Sequence, residues 1–147
     1  MPFDCSSLTS EWTLAQVSPG DRFYVRMFST NETTRAEAET VCGSQNSTLP
    51  RIKTLERLQF FRSRIMACNV TAGFIWLDGK NTYSGDWSWR FSDGTPINMT
   101  QGASGFWVTG RPNGGDAPHC LRLWAQQGHL LDDIPCTELY PTICERG

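Results

Sequence analysis

The sequence lacks several features that would assign it to large classes of protein. Its 13 basic and 15 acidic side chains leave a net charge of -2, which favours neither nucleic acid nor an anionic membrane as a partner. No apolar run approaches the roughly 18 residues needed to span a bilayer. Only two histidines and no C-x-x-C pair are present, so a zinc site is not expected. The 147 residues carry no internal repeat and predict one domain with a substantial core.

Catalytic signals are absent as well. No nucleophile stands at a motif spacing from a base, and His119 and His129 do not form a metal-ligand pair. The chain is therefore not expected to be an enzyme.

Cysteines and glycosylation sequons indicate the compartment. Six cysteines, an even number, suggest three disulfides formed in an oxidising environment. Four N-x-[ST] sequons agree with this, and they begin at Asn31, Asn46, Asn69 and Asn98. Residues 1–4 lack the basic start and apolar stretch of a signal peptide, so we expect a mature or excised domain. The prediction is a glycosylated protein that is secreted or forms the extracellular domain of a membrane protein.

Two helices are expected in the first half of the chain. Thr34 and Glu37 have the spacing of a capping box, which predicts a helix over residues 36–42 that ends at Gly43. A second helix is expected to begin near Thr54, with an apolar face packed on a sheet. The residues of that face are Leu55, Leu58, Phe61 and Ile65.

Short strands are predicted around the helices. Segments 23–28, 74–77, 87–89, 120–124 and 142–144 are rich in strand formers, and turn residues separate several of them from the preceding chain. Helices and short strands in this order predict an α+β fold.

A long irregular segment separates these strands. Residues 92–119 contain six glycines and three prolines and have no sustained periodicity. An irregular stretch of this length in a small domain is usually functional or disordered. We therefore predict that recognition is centred on residues 92–119.

Two motifs inside a cysteine frame resemble a known family. Residues 107–113 are W-V-T-G-R-P-N and residues 131–136 are L-D-D-I-P-C. They are similar to W-x-x-G-E-P-N and W-N-D-x-x-C of the C-type lectin-like domain, and matching segments extend over about residues 23–145. The resemblance implies two helices flanking small antiparallel sheets, with a long surface loop. It divides the chain into an N-terminal extension with an extra cysteine, 1–22, and the domain proper, 23–147.

The same resemblance implies two disulfides, Cys42–Cys144 and Cys120–Cys136. A third bridge, Cys5–Cys68, would then close a large loop. The alternative is that Cys5 is free or pairs between chains, which would give a homodimer.

Calcium binding is the activity that the resemblance implies for the long loop. Calcium needs six to eight oxygen ligands, but Arg111 and Pro118 stand where similar lectins carry glutamates. The remaining oxygen donors are Asn113, Asp116, Asp132 and Asp133. We expect either a rearranged calcium site made of these four residues or a turn in which Asp132 and Asp133 cap the backbone. In the absence of calcium, Arg111 either turns outward or binds a carboxylate or sulfate of a partner.

Aromatic residues divide into two groups. Trp76 and Trp89 are expected in the core, whereas Phe106 and Trp107 begin the variable part of the loop. The latter two are candidate exposed contacts for a sugar or a protein, although core packing is the more common fate of such rings.

The favoured function is an extracellular recognition module that binds a glycan or a protein through the long loop. The candidate ligand-binding residues are Arg111, Asn113, Asp116, Asp132, Asp133, Phe106 and Trp107. The alternative is a calcium-dependent carbohydrate-binding lectin with a rearranged site. Contact with ice or mineral is a further role that this fold class hosts.

Overall fold

The computed structural model describes residues 11–65, 74–81, 89–102, 105–113, 119–124 and 130–147. They form two antiparallel sheets with strand orders β1-β2-β7 and β4-β3-β5-β6, together with two helices, which confirms the α+β fold. The strands are β1 Thr13–Ser18, β2 Asp21–Thr33, β3 Phe74–Asn81, β4 Trp89–Arg90, β5 His119–Trp124, β6 Leu130–Pro135 and β7 Tyr140–Arg146. The helices are α1 Arg35–Ser44 and α2 Leu55–Phe60, and a π-helical turn, Phe61–Ile65, continues α2.

Helix α1 begins as predicted and ends later. Thr34 and Glu37 form the reciprocal capping box. The predicted end at Gly43 is wrong, because the helix continues to Ser44 and the left-handed residue after it is Asn46, with φ of 53°. Asparagine tolerates this conformation because its short polar side chain can bond locally.

Helix α2 begins after Thr54, whose side chain accepts a hydrogen bond from the Arg57 amide. Leu58 and Phe61 are buried as predicted, but Leu55 is 44% exposed. A spacing of three residues rotates each successive side chain by about 60° around a helix of 3.6 residues per turn. Leu55 therefore leaves the buried face, while the side chain of Ile65 lies outside the described residues.

Strand β3 extends beyond the predicted segment 74–77. The strand runs through Asp78 and Gly79 to Asn81. A Cβ atom at Gly79 would lie 2.8 Å from side-chain carbons of Ile97 and Leu121. Glycine therefore lets the long loop and β5 pack directly on β3. Of the predicted strand 87–89, Trp89 lies in β4 and the other two residues lie outside the described ranges.

Strand β1 lies within the segment set apart as an N-terminal extension. It pairs with β2 in an antiparallel register, and its Ala15 is 2% exposed in the main core. The boundary between residues 22 and 23 falls inside β2. The division of the chain into an extension and a domain proper stays a prediction.

Two disulfides cross-link the described part of the chain. Cys42–Cys144 joins α1 to β7, and Cys120–Cys136 joins β5 to the residue after β6, as expected. Cys5 and Cys68 lie outside the described residues, so their bridge and the alternative homodimer stay predictions.

A pH-dependent ion pair connects the start of β2 with α2. Arg57 donates to both carboxylate oxygens of Asp21, at 2.8 and 2.7 Å, and these hydrogen bonds lower the pKa of Asp21. A carboxylate whose pKa is lowered by folding contributes stability above its unfolded pKa, and that stability is lost as the pH falls. We expect Asp21→Asn to lower the melting temperature at pH 7 by roughly a few degrees.

The measurement is thermal unfolding of both proteins from pH 7 to pH 3. The difference between them should shrink as the pH falls toward and below the ordinary pKa of an aspartate. A difference that stays constant over this range would contradict an ionised pair with Arg57.

Candidate functional site

Two aromatic side chains in the middle of the long loop, residues 92–119, pack in the core. Trp107 is 0% exposed and Phe106 is 6% exposed, so both rings pack in the core and neither is an exposed contact for a ligand. Their backbone amides both donate to the Thr100 carbonyl at 2.9 Å, and Trp107 Nε1 donates to the Asn98 carbonyl at 2.9 Å. The two side chains are therefore buried and hydrogen-bonded to the loop backbone, and they do not form the outer surface of the loop.

Gly105 makes this close approach feasible. A Cβ atom at this position would lie 2.6 Å from the carbonyl carbon and oxygen of Thr100. Because those are backbone atoms, they cannot move aside as a flexible side chain can. The loop can fold back on itself in this way only with glycine at position 105.

The turn before the site is fixed by one glutamine. Gln101 Oε1 accepts from the Gly110 amide at 3.2 Å, and Gln101 Nε2 donates to the Arg111 carbonyl at 2.8 Å. The Val108 amide donates to the Leu131 carbonyl at 2.9 Å, and the Arg111–Pro112 peptide is cis. This turn places the side chains of Arg111 and Asn113 beside β6.

Asp132 is a buried carboxylate held by two arginines. It is 0% exposed and lies opposite Arg122 in the register of β5 and β6. Arg122 Nε donates to Asp132 Oδ2 at 2.7 Å, and Arg122 Nη2 forms an ion pair with the same oxygen at 2.7 Å. Asp132 Oδ1 faces Arg111 Nη1 at 3.5 Å. Both oxygens of this predicted calcium ligand therefore face guanidinium groups.

Asp133 is also buried, and both of its carboxylate oxygens have partners in the protein. It is 2% exposed, and its Oδ1 accepts from the Asn113 amide at 3.0 Å. Its Oδ2 lies 2.7 Å from His119 Nδ1. Asp133 therefore fixes both the loop segment that contains Asn113 and the first residue of β5.

Arg111 turns inward, toward these aspartates. Its Nη1 donates to Asn113 Oδ1 at 2.8 Å and lies within ion-pair distance of Asp132. The guanidinium carbon is 5.6 Å from the ring centroid of Trp124, a cation–π distance. The side chain is 30% exposed, so one side of the guanidinium still meets solvent.

Calcium does not fit this arrangement of the described residues. The structure brings Asn113, Asp132 and Asp133 together, but their side-chain oxygens face arginine, histidine or backbone donors. No group of three His, Cys, Asp or Glu residues in the described part of the chain could hold a metal ion. Asp116, the fourth predicted ligand, and Pro118 lie outside the described residues.

Three residues of the site were missed from the sequence. Arg122 and His119 pair with the two aspartates, and Trp124 lies beside Arg111. A signal for one of them was present, because Arg122 interrupts an otherwise apolar strand, and a charged side chain there needs a buried partner. The identity of that partner depends on the register of β5 and β6.

Two predicted glycosylation sites lie in described, exposed positions. Asn46 follows α1, and Asn98 begins the segment that supports Trp107. The side chain of Asn31 and the whole of Asn69 lie outside the described residues. Glycosylation at all four sequons stays a prediction.

Comparison with known families identifies the class of this domain. A family model described as the lectin C-type domain matches residues 31–146. The chain therefore belongs to the C-type lectin domain family, as its motifs and its fold had suggested. Members of this family are generally binding modules without enzymatic activity.

Two curated proteins are similar to this chain over part of their length. A type-2 ice-structuring protein of Hemitripterus americanus is 29% identical over 118 residues, which cover 80% of this chain and 64% of that protein. A C-type lectin of Cerberus rynchops is 37% identical over 76 residues, which cover 50% of this chain and 44% of that protein. The chain thus spans less than two thirds of the length of these relatives.

A solved structure of similar fold is a calcium-independent type II antifreeze protein. It has a TM-score of 0.71 and 22% identity, and the match covers 94% of this chain and 92% of that one. At this identity the likeness concerns the fold alone. Among the residues described for this chain, no helix is long and apolar enough to cross a membrane.

Proposed function

We propose that this domain is an extracellular recognition module that binds its ligand through the long loop without calcium. The observation that carries the proposal is the inward guanidinium of Arg111, which contacts Asn113 and Asp132 where the family resemblance implies a cation. The arginine then acts as a built-in positive charge that organises the loop.

Electrostatics favours the arginine over an ion. Two guanidinium groups, those of Arg111 and Arg122, already face the single buried charge of Asp132. A divalent cation placed here would be repelled by both of them and would have to displace several hydrogen bonds. With Arg111 in place, Asp132 and Asp133 hold the loop through their contacts with Arg111 and with the Asn113 amide.

The ligand is expected to offer oxygen acceptors to the exposed side of this arginine. A guanidinium is planar and donates in parallel to carboxylate or sulfate oxygens, and also bonds hydroxyls. Asn113 is exposed beside it and adds an amide. Glycans with acidic groups and acidic protein surfaces both meet these requirements. Four sequons and two disulfides support an extracellular setting.

The alternative is a calcium-dependent lectin with a rearranged site. One observation favours this alternative. The buried Asp132 Oδ1 accepts no hydrogen bond, and the nearest guanidinium nitrogen of Arg111 is 3.5 Å away. If Arg111 moved outward, Asn113, Asp116, Asp132 and Asp133 would be the oxygen donors.

Arg111→Glu tests the proposal by restoring a glutamate before Pro112 and Asn113. For the unsubstituted protein we expect the same melting temperature in excess EDTA and in millimolar calcium. For the variant we expect calcium to raise the melting temperature, by roughly 5 °C if its concentration exceeds the dissociation constant about a hundredfold. The gain arises because a repelling charge becomes a ligand.

Arg22→Glu is the matched control. Arg22 is exposed on β2, a strand that contributes none of the site residues, and the substitution changes the net charge by the same amount. It should show no calcium response. A calcium-dependent rise in the unsubstituted protein would overturn the proposal and support the alternative lectin. If the unsubstituted protein shows no calcium response, glycan and protein-ligand screens in EDTA would identify the ligand class. Arg111→Ala is expected to lose this binding and serves as the negative control.

A further inference from the structure

The asparagine of the loop motif, Asn113, is followed in the sequence by a glycine. Asn113 and Gly114 form the one Asn-Gly pair of the chain. The amide nitrogen of the residue after an asparagine can attack the carbonyl carbon of the asparagine side chain. Glycine hinders this approach least because it has no Cβ atom. Gly114 lies outside the described residues, and only its covalent link to Asn113 and its missing side chain matter to this chemistry.

Asn113 is accessible to water, which the later steps of such a reaction consume. The residue is exposed, and its backbone amide donates to Asp133 Oδ1 at 3.0 Å. This hydrogen bond holds the amide side of Asn113, whereas the attack depends on rotation about ψ and χ1. The anchor to β6 therefore positions the residue without blocking its side-chain carbonyl carbon.

A guanidinium lies on the oxygen of that side-chain carbonyl. Arg111 Nη1 donates to Asn113 Oδ1 at 2.8 Å. Attack on Cγ gives a tetrahedral intermediate with negative charge on this oxygen, and a cationic donor at this distance stabilises it as an oxyanion hole does. Arg111 is itself held by Asp132 at 3.5 Å and by the Trp124 ring at 5.6 Å. The donor is therefore already in place before the reaction begins.

Two other exposed asparagines lack this combination. After Asn46, the Ser47 amide that would attack donates instead to a backbone carbonyl of α1 at 3.0 Å. Asn98 Oδ1 accepts from the amide and the hydroxyl of Thr100, at 2.9 and 2.8 Å, and the residue after Asn98 is Met99, which has a side chain. Both asparagines therefore serve as references within the same chain.

We propose that Asn113 is a site of spontaneous deamidation that Arg111 promotes. The Gly114 amide nitrogen loses its proton to water or hydroxide and bonds to Asn113 Cγ. The Cγ–Nδ2 bond breaks, and the side-chain nitrogen leaves as ammonia. Water then opens the resulting succinimide at either of its two carbonyls, which gives aspartate or isoaspartate. One water is consumed and one ammonia is released, with no oxidation or reduction.

The product changes the charge of the loop motif. Aspartate at position 113 would place a carboxylate against the guanidinium that now donates to a neutral amide, and the net charge would change from -2 to -3. A charge-assisted contact is stronger than a neutral one, so Arg111 would be held more firmly. Its exposed side would then be less available to an acidic ligand. This last consequence rests on the proposed function, whereas the reaction itself does not.

Site-resolved mass spectrometry tests the proposal on protein made in bacteria, whose asparagines carry no glycans. The folded protein is incubated near neutral pH, and the fraction of aspartate and isoaspartate at each asparagine is followed over time. We expect Asn113 to react faster than Asn46 and Asn98. The rate should rise with pH because the attacking nitrogen must lose its proton. Gly114→Val should slow the reaction strongly, since a branched side chain blocks the approach.

Arg111→Met separates the effect of the guanidinium from that of the Asn-Gly pair. We expect the variant to react about three- to tenfold more slowly, a smaller loss than in an enclosed active site because Asn113 is exposed to water. Arg22→Met, at an exposed arginine of β2, is the matched control and should leave the rate unchanged. In urea, where the folded contact is lost, Arg111→Met and the unsubstituted protein should react at the same rate.

Two sets of results would overturn the proposal. A rate at Asn113 no higher than at Asn46 and Asn98 would show that it is not a preferred site. An equal or faster rate in folded Arg111→Met, or the same slowing in urea, would remove the promoting role of Arg111. The calcium response of Arg111→Glu is measured on freshly prepared protein and does not depend on this reaction, so the two proposals fail separately.

Discussion

Replacing Arg122 by leucine is expected to destabilise the domain by about 3–5 kcal/mol, because it leaves a buried carboxylate without its main partner. Asp132 is 0% exposed and makes two contacts of 2.7 Å with Arg122, a hydrogen bond from Nε and an ion pair with Nη2. Without them, only the more distant contact of 3.5 Å with Arg111 compensates its charge. The Tyr140 hydroxyl also loses a donor at 2.5 Å.

Besides its ion pair with Asp132, the Arg122 side chain packs against aromatic rings. The Arg122 guanidinium lies 4.0 Å from the ring centroid of Phe74 and 4.9 Å from that of Trp124. Leucine keeps part of the apolar contact but none of the cation–π attraction. Most of the expected loss nevertheless comes from Asp132, because an unpaired buried charge costs more than a missing ring contact.

A double-mutant cycle, measured by chemical denaturation, separates the loss of the ion pair from the loss of the ring contacts. Arg122→Leu with Asp132→Leu removes both charges, and we expect it to recover at least about half of the lost stability. Arg22→Leu, at an exposed arginine on β2, is the control and should change stability by no more than about 0.5 kcal/mol. If Arg122→Leu cost less than about 1 kcal/mol, Asp132 would not be a buried charge that depends on Arg122.

Removal of the Cys42–Cys144 disulfide is the second large effect that we expect. The bridge closes a loop with a sequence separation of 102 residues. In the chain-entropy model a loop of this length contributes about 4.7 kcal/mol by restricting the unfolded chain, so Cys42→Ala with Cys144→Ala should lower the free energy of unfolding by about 4–5 kcal/mol. Such a loss is a large fraction of the stability of an ordinary domain.

The second described disulfide provides an internal comparison. Cys120–Cys136 has a sequence separation of 16 residues, for which the same model gives about 3 kcal/mol. Urea unfolding of the two double-alanine variants should therefore rank the long-loop bridge as the more stabilising. The reverse order would mean that folded-state contacts, and not the unfolded chain, determine the contribution of these bridges.

Local and covalent features of the fold were predictable. The capping box of Thr34 and Glu37 involves atoms three residues apart, so its sequence spacing is enough to identify it. The cysteine frame was recognised through a family resemblance, and both described bridges confirm it. In contrast, the end of α1 was placed too early, at Gly43, because the helix continues to Ser44 and the left-handed residue is Asn46.

Burial in the long loop was harder to predict. Phe106 and Trp107 lie in a segment without periodicity, and no local pattern distinguishes a ring that faces solvent from one that faces the core. Leu55 gave the opposite error, because a repeated spacing of three was taken as one face of a helix. In both cases the missing information was the position of the neighbouring elements.

The sequence alone determined the α+β content of the domain, because this depends on local backbone preferences. The class of domain and two of its cross-links were implied by the resemblance of an ordered set of motif residues to a known family. The sequence also located the loop motif that contains Arg111, Asn113, Asp132 and Asp133. Only the tertiary structure decided what those side chains contact. The register of β5 and β6 places Arg122 opposite Asp132, and the turn held by Gln101 carries Arg111 inward. Hydrogen bonds are short and directional, so partners from separate segments are defined only when the whole chain has folded.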